Sequence, residues 1–492
     1  MMIYPQADFA RSTPEAQGIS SAAIENVLRD IRDSGADIHS MLVMRRGHLV
    51  FEHYFAPYTA ETPHSMYSCS KTFTSMLIGI AQDKGLLSVK DRVLSFFPEQ
   101  EVKEPSENLC AMTIEDLLMM GTGNAQDTFP YMMQAAQPDA DWVNIFLNRP
   151  VEHRPGTHFV YNTGATYMLS AILTKVTGRT ALELANEWLF EPMGIEGATW
   201  DACPRGISLG GTGLHITPRD MLRMGILLLG RGRWKNRQLV SPGYIAEAQK
   251  KRIENRSGDP DQDPNWAAGY CYQMWRCCFD AYRADGMGGQ FIVVMPRQEM
   301  IVVFTSALGG DKPIGYPLWL IEHKLLPGVF DQPQMYGVDA AESLAKLAAE
   351  LSKPQPQPMP EGAKGFPFGR KIGFGPEGAA LFSRGAALKL MSLTVDGDKA
   401  RVETSAGVIE AEYDWGAPKI NAAPQPALGG WAKEAVLSGQ ADWDEEKGLR
   451  LAIRYLGEPL TIRFDTKIGA DAAHVRVMAT LGGVCEVEGR VE

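Results

Sequence analysis

The chain has 492 residues, 45% of them hydrophobic and 22% charged, with a formal net charge of −11. That balance fits a soluble globular protein with a sizeable core, and the length exceeds one ordinary domain. Lys and Arg do not cluster as a nucleic-acid footprint would require, and no window approaches the roughly 18 apolar residues of a membrane span. The opening MMIYPQADFARSTPEAQGIS lacks a basic start, an apolar stretch and a small-residue cleavage site, so no export signal is expected. Seven scattered cysteines without a C-x-x-C pair are read as free thiols in a reducing cytoplasm, with neither a disulfide framework nor a zinc site.

In chain order, Ile24 to Ile31 has the spacing of an amphipathic helix, and two short apolar runs flank Arg45-Arg46-Gly47 as in a hairpin. Across 69–82 the apolar positions Phe73, Met76, Leu77, Ile80 and Ala81 predict a buried helix, with Gly85 as its stop. Residues 164–176 and 217–229 read as further helices, and 291–296 and 301–307 as two late strands. Strands, then helices, then strands again imply an α/β core in which both ends of the segment meet in one antiparallel sheet. A polar-faced helix at 339–352 and the proline-rich 353–362 follow as a connector. Beyond it, alternating runs around turn residues predict a small β-sandwich or barrel. The expected division is therefore 1–338, a linker at 339–362, and a β-rich domain of unknown role at 363–492.

Ser68-Cys69-Ser70-Lys71 opens the helix at 69–82. Residues at i and i+3 share a helix face, so the Lys71 amine can reach the Ser68 hydroxyl and serve as its base if burial lowers its pKa. Alone, S-x-x-K also fits an N-cap serine beside a solvated lysine. The surrounding PHSMYSCSKTFTSMLIGIAQDKGLLSVKDRVLSFFPE resembles the nucleophile region of the serine β-lactamase and penicillin-binding-protein superfamily. Within it, the branch of class C-like esterases and 6-aminohexanoate-oligomer hydrolases is the most similar. TIEDLLMMGTGN, RPGTHFVYNTGATYMLSAIL, GGTGLHITPRDMLRMGILLLGRGRW and the strands within 266–304 follow in that family's order, so the resemblance spans 18 to about 330. It implies a serine β-lactamase-like α/β (α+β) fold, with an antiparallel sheet flanked by helices and an all-helical region. It also implies catalysis by Ser68 and Lys71 without metal or cofactor.

Tyr161 matches the tyrosine of the family's Y-x-N motif, with Asn162 and Thr163 following, and either of those two could line the pocket. The family's third motif, K-T-G or a variant, falls on Ala284-Asp285-Gly286-Met287 and the turn Gly288-Gly289. Lysine, which would help to hold a substrate carboxylate, is absent there. The Met287 N–H is the expected oxyanion donor beside that of Ser68, with Gly286 allowing close approach and the register open across 286–289. G-x-S-x-G around Ser208 lacks the strand and helix of a nucleophile elbow, and 104–108 precedes rather than follows Tyr161, unlike a deacylation loop. Trp266, Tyr270, Tyr272 and Trp275 could line the cleft or belong to the core.

The expected function is a carboxylesterase or amidase acting on a small-molecule ester or amide. A β-lactamase or D-amino-acid peptidase, and a non-catalytic sensor that kept the fold, are the alternatives. No nucleic-acid or membrane partner is expected, and oligomeric state is not encoded legibly.

Overall fold

The turn Arg46-Gly47 joins strands β1 (Ile38–Arg45) and β2 (His48–Tyr54), with φ of 50° and 78° at its two residues. Positive φ at both centres matches the twist of a two-residue hairpin. The computed structural model describes residues 8–492 except 136, 138, 311, 336, 376–377, 384–385, 423–424, 427–433, 459, 470–471 and 481–482. Four late strands, β3 (Trp275–Arg276), β4 (Tyr282–Gly286), β5 (Gln290–Met295) and β6 (Met300–Ser306), complete a six-stranded sheet in the order β2-β1-β6-β5-β4-β3. Early and late strands thus lie side by side. Every residue of β5 and β6 is buried, so the sheet is covered on both faces.

The helices that matter for the site are α1 (Ser21–Ser34), α2 (Ser70–Asp83), α3 (Thr163–Thr177), α4 (Pro218–Leu229) and α5 (Val338–Ser352). Helix α2 is buried without a break from Ser70 to Ala81, as a helix apolar or small on every face must be. It packs against α3, while α4 packs on β5. Thr217 and Asp220 form a reciprocal cap at the start of α4, with Pro218 in its first turn. Helix α2 begins one residue later than its apolar stripe suggests. Tyr67, at φ 45°, bends the chain into a short 3₁₀ turn (Tyr67–Cys69) that leads into it.

Residues 354–360 carry no regular structure and Glu361–Gly365 make a 3₁₀ turn. The strands that follow form a barrel rather than a sandwich. An 11-stranded sheet closes because Lys371–Gly373 pairs with Ala386–Asp396 on one side and with Gly483–Val491 on the other. Inward positions alternate along each strand, as in Leu449, Leu451, Ile453 and Tyr455, and their side chains fill the interior with Ile462, Phe464, Val475 and Val477.

Close packing groups the chain into two compact units. One comprises the described residues up to Gln17 together with Leu42–Phe51 and Ser65–Val303; the other comprises Gly18–Met41, Glu52–His64 and Phe304–Glu492. In the second unit α1 lies against α5, where the Ser343 hydroxyl donates to Glu25 at 2.6 Å. Among the described residues no helix is long and apolar enough to cross a membrane.

Candidate active site

Ser68 sits on the 3₁₀ turn ahead of α2, half-buried, between two fully enclosed neighbours. The turn is held from several sides. The Ser70 hydroxyl donates to the Tyr67 carbonyl at 2.6 Å and accepts the Leu214 N–H at 3.2 Å, and the Met66 N–H donates to the Leu214 carbonyl at 2.8 Å. A positive φ at a bulky residue is costly outside a setting that over-determines it, and these bonds supply that setting.

Lys71, one turn along and 1% exposed, donates from Nζ to the Ser68 hydroxyl at 3.0 Å. Its other two acceptors are the Thr163 hydroxyl at 3.2 Å and the Gly211 carbonyl at 2.8 Å. None of the three is charged. Burial therefore drives the Lys71 pKa down to about 7, against the pull of Asp127, Cys69 and Asp285 in the opposite direction. An amine near neutrality at this distance can take the hydroxyl proton of Ser68.

The Gly211 carbonyl reaches Lys71 because its loop lies on the start of α3. A Cβ at Gly211 would stand 2.9 Å from Thr163 Cγ2 and 3.1 Å from the Thr163 carbonyl. Glycine in the 210–213 segment is thus a requirement of close approach.

Tyr161 lies across the amine, with Lys71 Nζ 4.9 Å from its ring centroid, and its hydroxyl is hydrogen-bonded to Ser68. Burial raises the phenol's pKa, and the bond to Ser68 only partly opposes this, so the group is a protonated phenol at neutral pH. Trp275 lies beside it with ring centroids 5.2 Å apart, and Tyr270 stands perpendicular to Trp275 at 5.0 Å. Trp275 and Tyr270 thus pack against Tyr161. Tyr272 turns away and bonds Glu115, and Trp266 stacks on Arg283 at 4.6 Å.

Asn162 and Thr163 have separate tasks. Asn162 is fully buried, and its Oδ1 accepts from the Thr128 N–H at 3.1 Å, the Thr128 hydroxyl at 2.8 Å and the Ala165 N–H at 3.3 Å. It caps α3 and ties the 124–128 loop to it. Thr163 alone of the pair reaches Lys71. The loop places Asp127, whose Oδ1 accepts from the Thr163 N–H at 2.9 Å and the Phe129 N–H at 3.0 Å.

The end of β4 lies against the serine turn. A Cβ at Gly286 would meet the Met66 carbonyl at 2.3 Å, so only glycine lets the strand approach. The turn beyond it uses Gly288 and Gly289 at φ 79° and 90°, and the Gly289 N–H donates to the Gly286 carbonyl at 3.1 Å. Met287 is 49% exposed, and its carbonyl accepts from the Gln290 side chain at 3.3 Å. Cys69, the neighbour of Ser68, donates its thiol to the Gln290 carbonyl at 3.2 Å, a second tie between turn and strand.

Ser208 lies elsewhere, buried, with its hydroxyl accepting the Leu182 N–H at 3.3 Å and its carbonyl accepting from Ser170 at 2.7 Å. None of the seven cysteines is joined in a disulfide. Among the described residues no group of His, Cys, Asp or Glu is placed to hold a metal ion.

Asp127, Arg283 and Gln273 carry no sequence motif, and Asp285 lies in the third motif's segment without a role assigned to it there. Buried Gln273, at φ 58°, accepts from Thr166 at 2.6 Å, donates to the Leu117 and Leu118 carbonyls at 2.9 and 3.0 Å, and takes the Thr72 hydroxyl on its own carbonyl at 2.9 Å. Its positive φ and burial become visible only in three dimensions.

A family model described as Beta-lactamase matches residues 24–319. A 6-aminohexanoate-dimer hydrolase from Paenarthrobacter ureafaciens is 22% identical over 283 residues, which is 54% of this chain and 72% of that protein. Among solved structures, the octameric penicillin-binding protein homologue from Pyrococcus abyssi is similar at 17% identity with a TM-score of 0.50, covering 95% of this chain and 99% of that one. EstCE1, a hydrolase with promiscuous acyltransferase activity, is similar at 16% identity and a TM-score of 0.52, covering 61% and 97%.

Proposed function

The chain belongs to the beta-lactamase family, and on that premise we propose that it is a serine hydrolase that opens an ester or amide through an acyl-enzyme on Ser68. Ser68 Oγ attacks the carbonyl carbon as Lys71 Nζ takes its proton. Tyr161, protonated and bonded to Ser68, gives its proton to the leaving oxygen or nitrogen and is reprotonated from the Lys71 ammonium, which returns that amine to its neutral form. A water then attacks the acyl carbon with Lys71 as base, and Ser68 is released with its proton restored.

The oxyanion is held by the N–H of Ser68 and by one from the turn after β4. Because the Gly289 N–H is engaged by Gly286, Met287 is the assignment and Gly288 the other register. The observation that carries the reading is the 3.0 Å contact between Ser68 and a lysine drawn down to about 7.

Asp285-Gly286-Met287 offers no cation for a substrate carboxylate, which favours simple esters and amides over β-lactams and D-peptides. The similar 6-aminohexanoate-dimer hydrolase is by name a hydrolase, which agrees with the reaction class. Seven cysteines without a disulfide suit a reducing compartment, in keeping with a cytoplasmic enzyme.

Intact-mass labelling with a fluorophosphonate tests the nucleophile. A single adduct is expected on the wild type and none on Ser68→Ala; an adduct that survives the substitution would overturn the proposal. Turnover of short p-nitrophenyl esters and anilides without turnover of nitrocefin is the expected substrate pattern, and the reverse would restore the β-lactamase reading.

A further inference from the structure

Arg283 is fully buried on β4, three residues before Gly286. Its Nη1 donates to the Asn265 carbonyl at 2.9 Å, to the Arg276 carbonyl at 3.0 Å and to Cys277 Sγ at 3.4 Å. Its Nε donates to Asp285 Oδ2 at 2.9 Å. The guanidinium plane lies over Trp266 at 4.6 Å, with Trp275 and Phe291 at 5.8 and 5.9 Å. Residues i and i+2 share a strand face, so Arg283 and Asp285 project together. Trp275 is opposite Arg283 in the ladder and Phe291 opposite Asp285.

Taking this pair out of water costs several kcal/mol per ion in general, and apolar residues of similar volume would fill such a space as well. Its retention calls for a task that packing alone does not perform. One arm of the contacts grips the strand that ends in Gly286 and Met287. The other grips Trp275, whose ring lies against Tyr161.

We propose that Arg283 is a positioning residue, which through Asp285 fixes the strand end at the serine turn and through Trp275 fixes the phenol of Tyr161. The assignment rests on the reading of Ser68, Lys71 and Tyr161 given above. A planar five-donor fork can hold two carbonyls, a sulfur and a carboxylate at once; an ammonium cannot hold that geometry. Asp285 has a second consequence. Burial pushes its carboxyl pKa up, Arg283 and Lys71 oppose that and favour the charged form, Asp263 adds to the rise, and in the charged form it acts on Cys69, Tyr161 and Tyr270. Lys71 in turn is faced by Asp127, Cys69, Asp285 and Tyr161. Asp285 is therefore one of the groups that keep the lysine from losing its proton still more readily.

The experiment uses the full chain with a p-nitrophenyl ester and the variants R283M, R283K and D285N, each checked for folding by near-UV circular dichroism. Displacing reacting groups by about 1 Å costs on the order of 100-fold, so R283M is expected to lose about that in kcat with KM little changed. R283K keeps the charge without the fork and is expected to recover part of the loss. In D285N a negative neighbour of Lys71 disappears, so the acidic limb of kcat/KM is expected to move to lower pH by up to about one unit.

A folded, fluorophosphonate-labelled R283M with wild-type kcat overturns the assignment and leaves the nucleophile reading standing. If R283M does not fold, R283K or D285N with wild-type kcat overturns it equally. Wild-type protein that takes no label at Ser68 removes the reading of the site and this assignment with it.

Discussion

Lys71 and Asp37 are both shut away from water and both have pKa values displaced downward, with opposite results. In the unit that holds Ser68, burial lowers Lys71 to about 7, and its three hydrogen-bond partners are neutral. In the other unit burial pushes Asp37 up, but Arg454 and Arg463 outweigh it and hold the carboxyl well below the usual range. Thr461 donates to Asp37 Oδ2 at 2.6 Å, and Arg454 and Arg463 each stand 3.4 Å from the carboxylate. A lowered pKa makes the lysine neutral and the aspartate charged. Burial decides the lysine's case because its bonded partners are neutral, whereas for the aspartate the charge of the nearest partners overrides burial. The unit with the serine keeps an ammonium short of counter-ions and so readily deprotonated, while the other unit uses a saturated ion cluster as a joint.

The largest expected effect comes from removing the lysine. Lys71→Met should lower kcat/KM by about 10²–10⁴-fold, the usual contribution of a positioned general base, in p-nitrophenyl ester assays with folding unchanged. In the wild type the same group fixes a pH profile. Below about pH 7 Lys71 is protonated and cannot accept from Ser68, so activity should rise with pH and reach half its plateau near 7. A rate flat from pH 5 to 9 would sink the role of Lys71.

Next in size is the joint. Asp37→Ala leaves the half-buried Arg454 and Arg463 without their carboxylate, and about 1–3 kcal/mol of stability should be lost, read from urea midpoints at constant slope. Because Asp37 has a depressed pKa, its contribution is present above the ordinary carboxylate range and disappears only as pH falls well below it. Wild-type stability from pH 5 to 8 should therefore owe nothing to its titration. A variant that unfolds at the wild-type midpoint would show that the cluster is not a joint.

The smallest effect sharpens the first. Thr163→Val removes one neutral acceptor from the Lys71 ammonium, worth about 1 kcal/mol. The charged form loses that support, so the half-rise of activity should move below the wild-type value while the plateau falls only slightly. A shift upward would mean that Thr163 acts on some other group.

The nucleophile and its base were legible because their contact is local: Ser68 and Lys71 lie one turn apart, and α2 announces its burial by composition. The segment at 210–213 was legible as a landmark but not as the acceptor of a lysine proton, since the approach of Gly211 to Thr163 is a tertiary fact. Asn162 and Thr163 are adjacent, and only the turn of the chain at the start of α3 separates cap from pocket. Asp127, Arg283 and the role of Asp285 were illegible for the same reason. Their work depends on groups brought near by the fold, and nothing in local periodicity marks a paired buried charge. In the β-rich region, alternation predicted strands well. The choice between sandwich and barrel rested on the three residues Lys371–Gly373, too short a run to read as a strand.

That short strand also sets a schedule for biosynthesis. Because Ile372 pairs with Val491, the ring cannot close until the ribosome has delivered the chain as far as Val491. Until then the growing sheet exposes two open edges, each a template for pairing with another nascent chain. The Ser68 unit's sequence has by that time long emerged and can fold first. The hazard in making this protein is therefore concentrated in the interval before Val491 is delivered, and a pause there would be felt as aggregation before it was felt as lost catalysis.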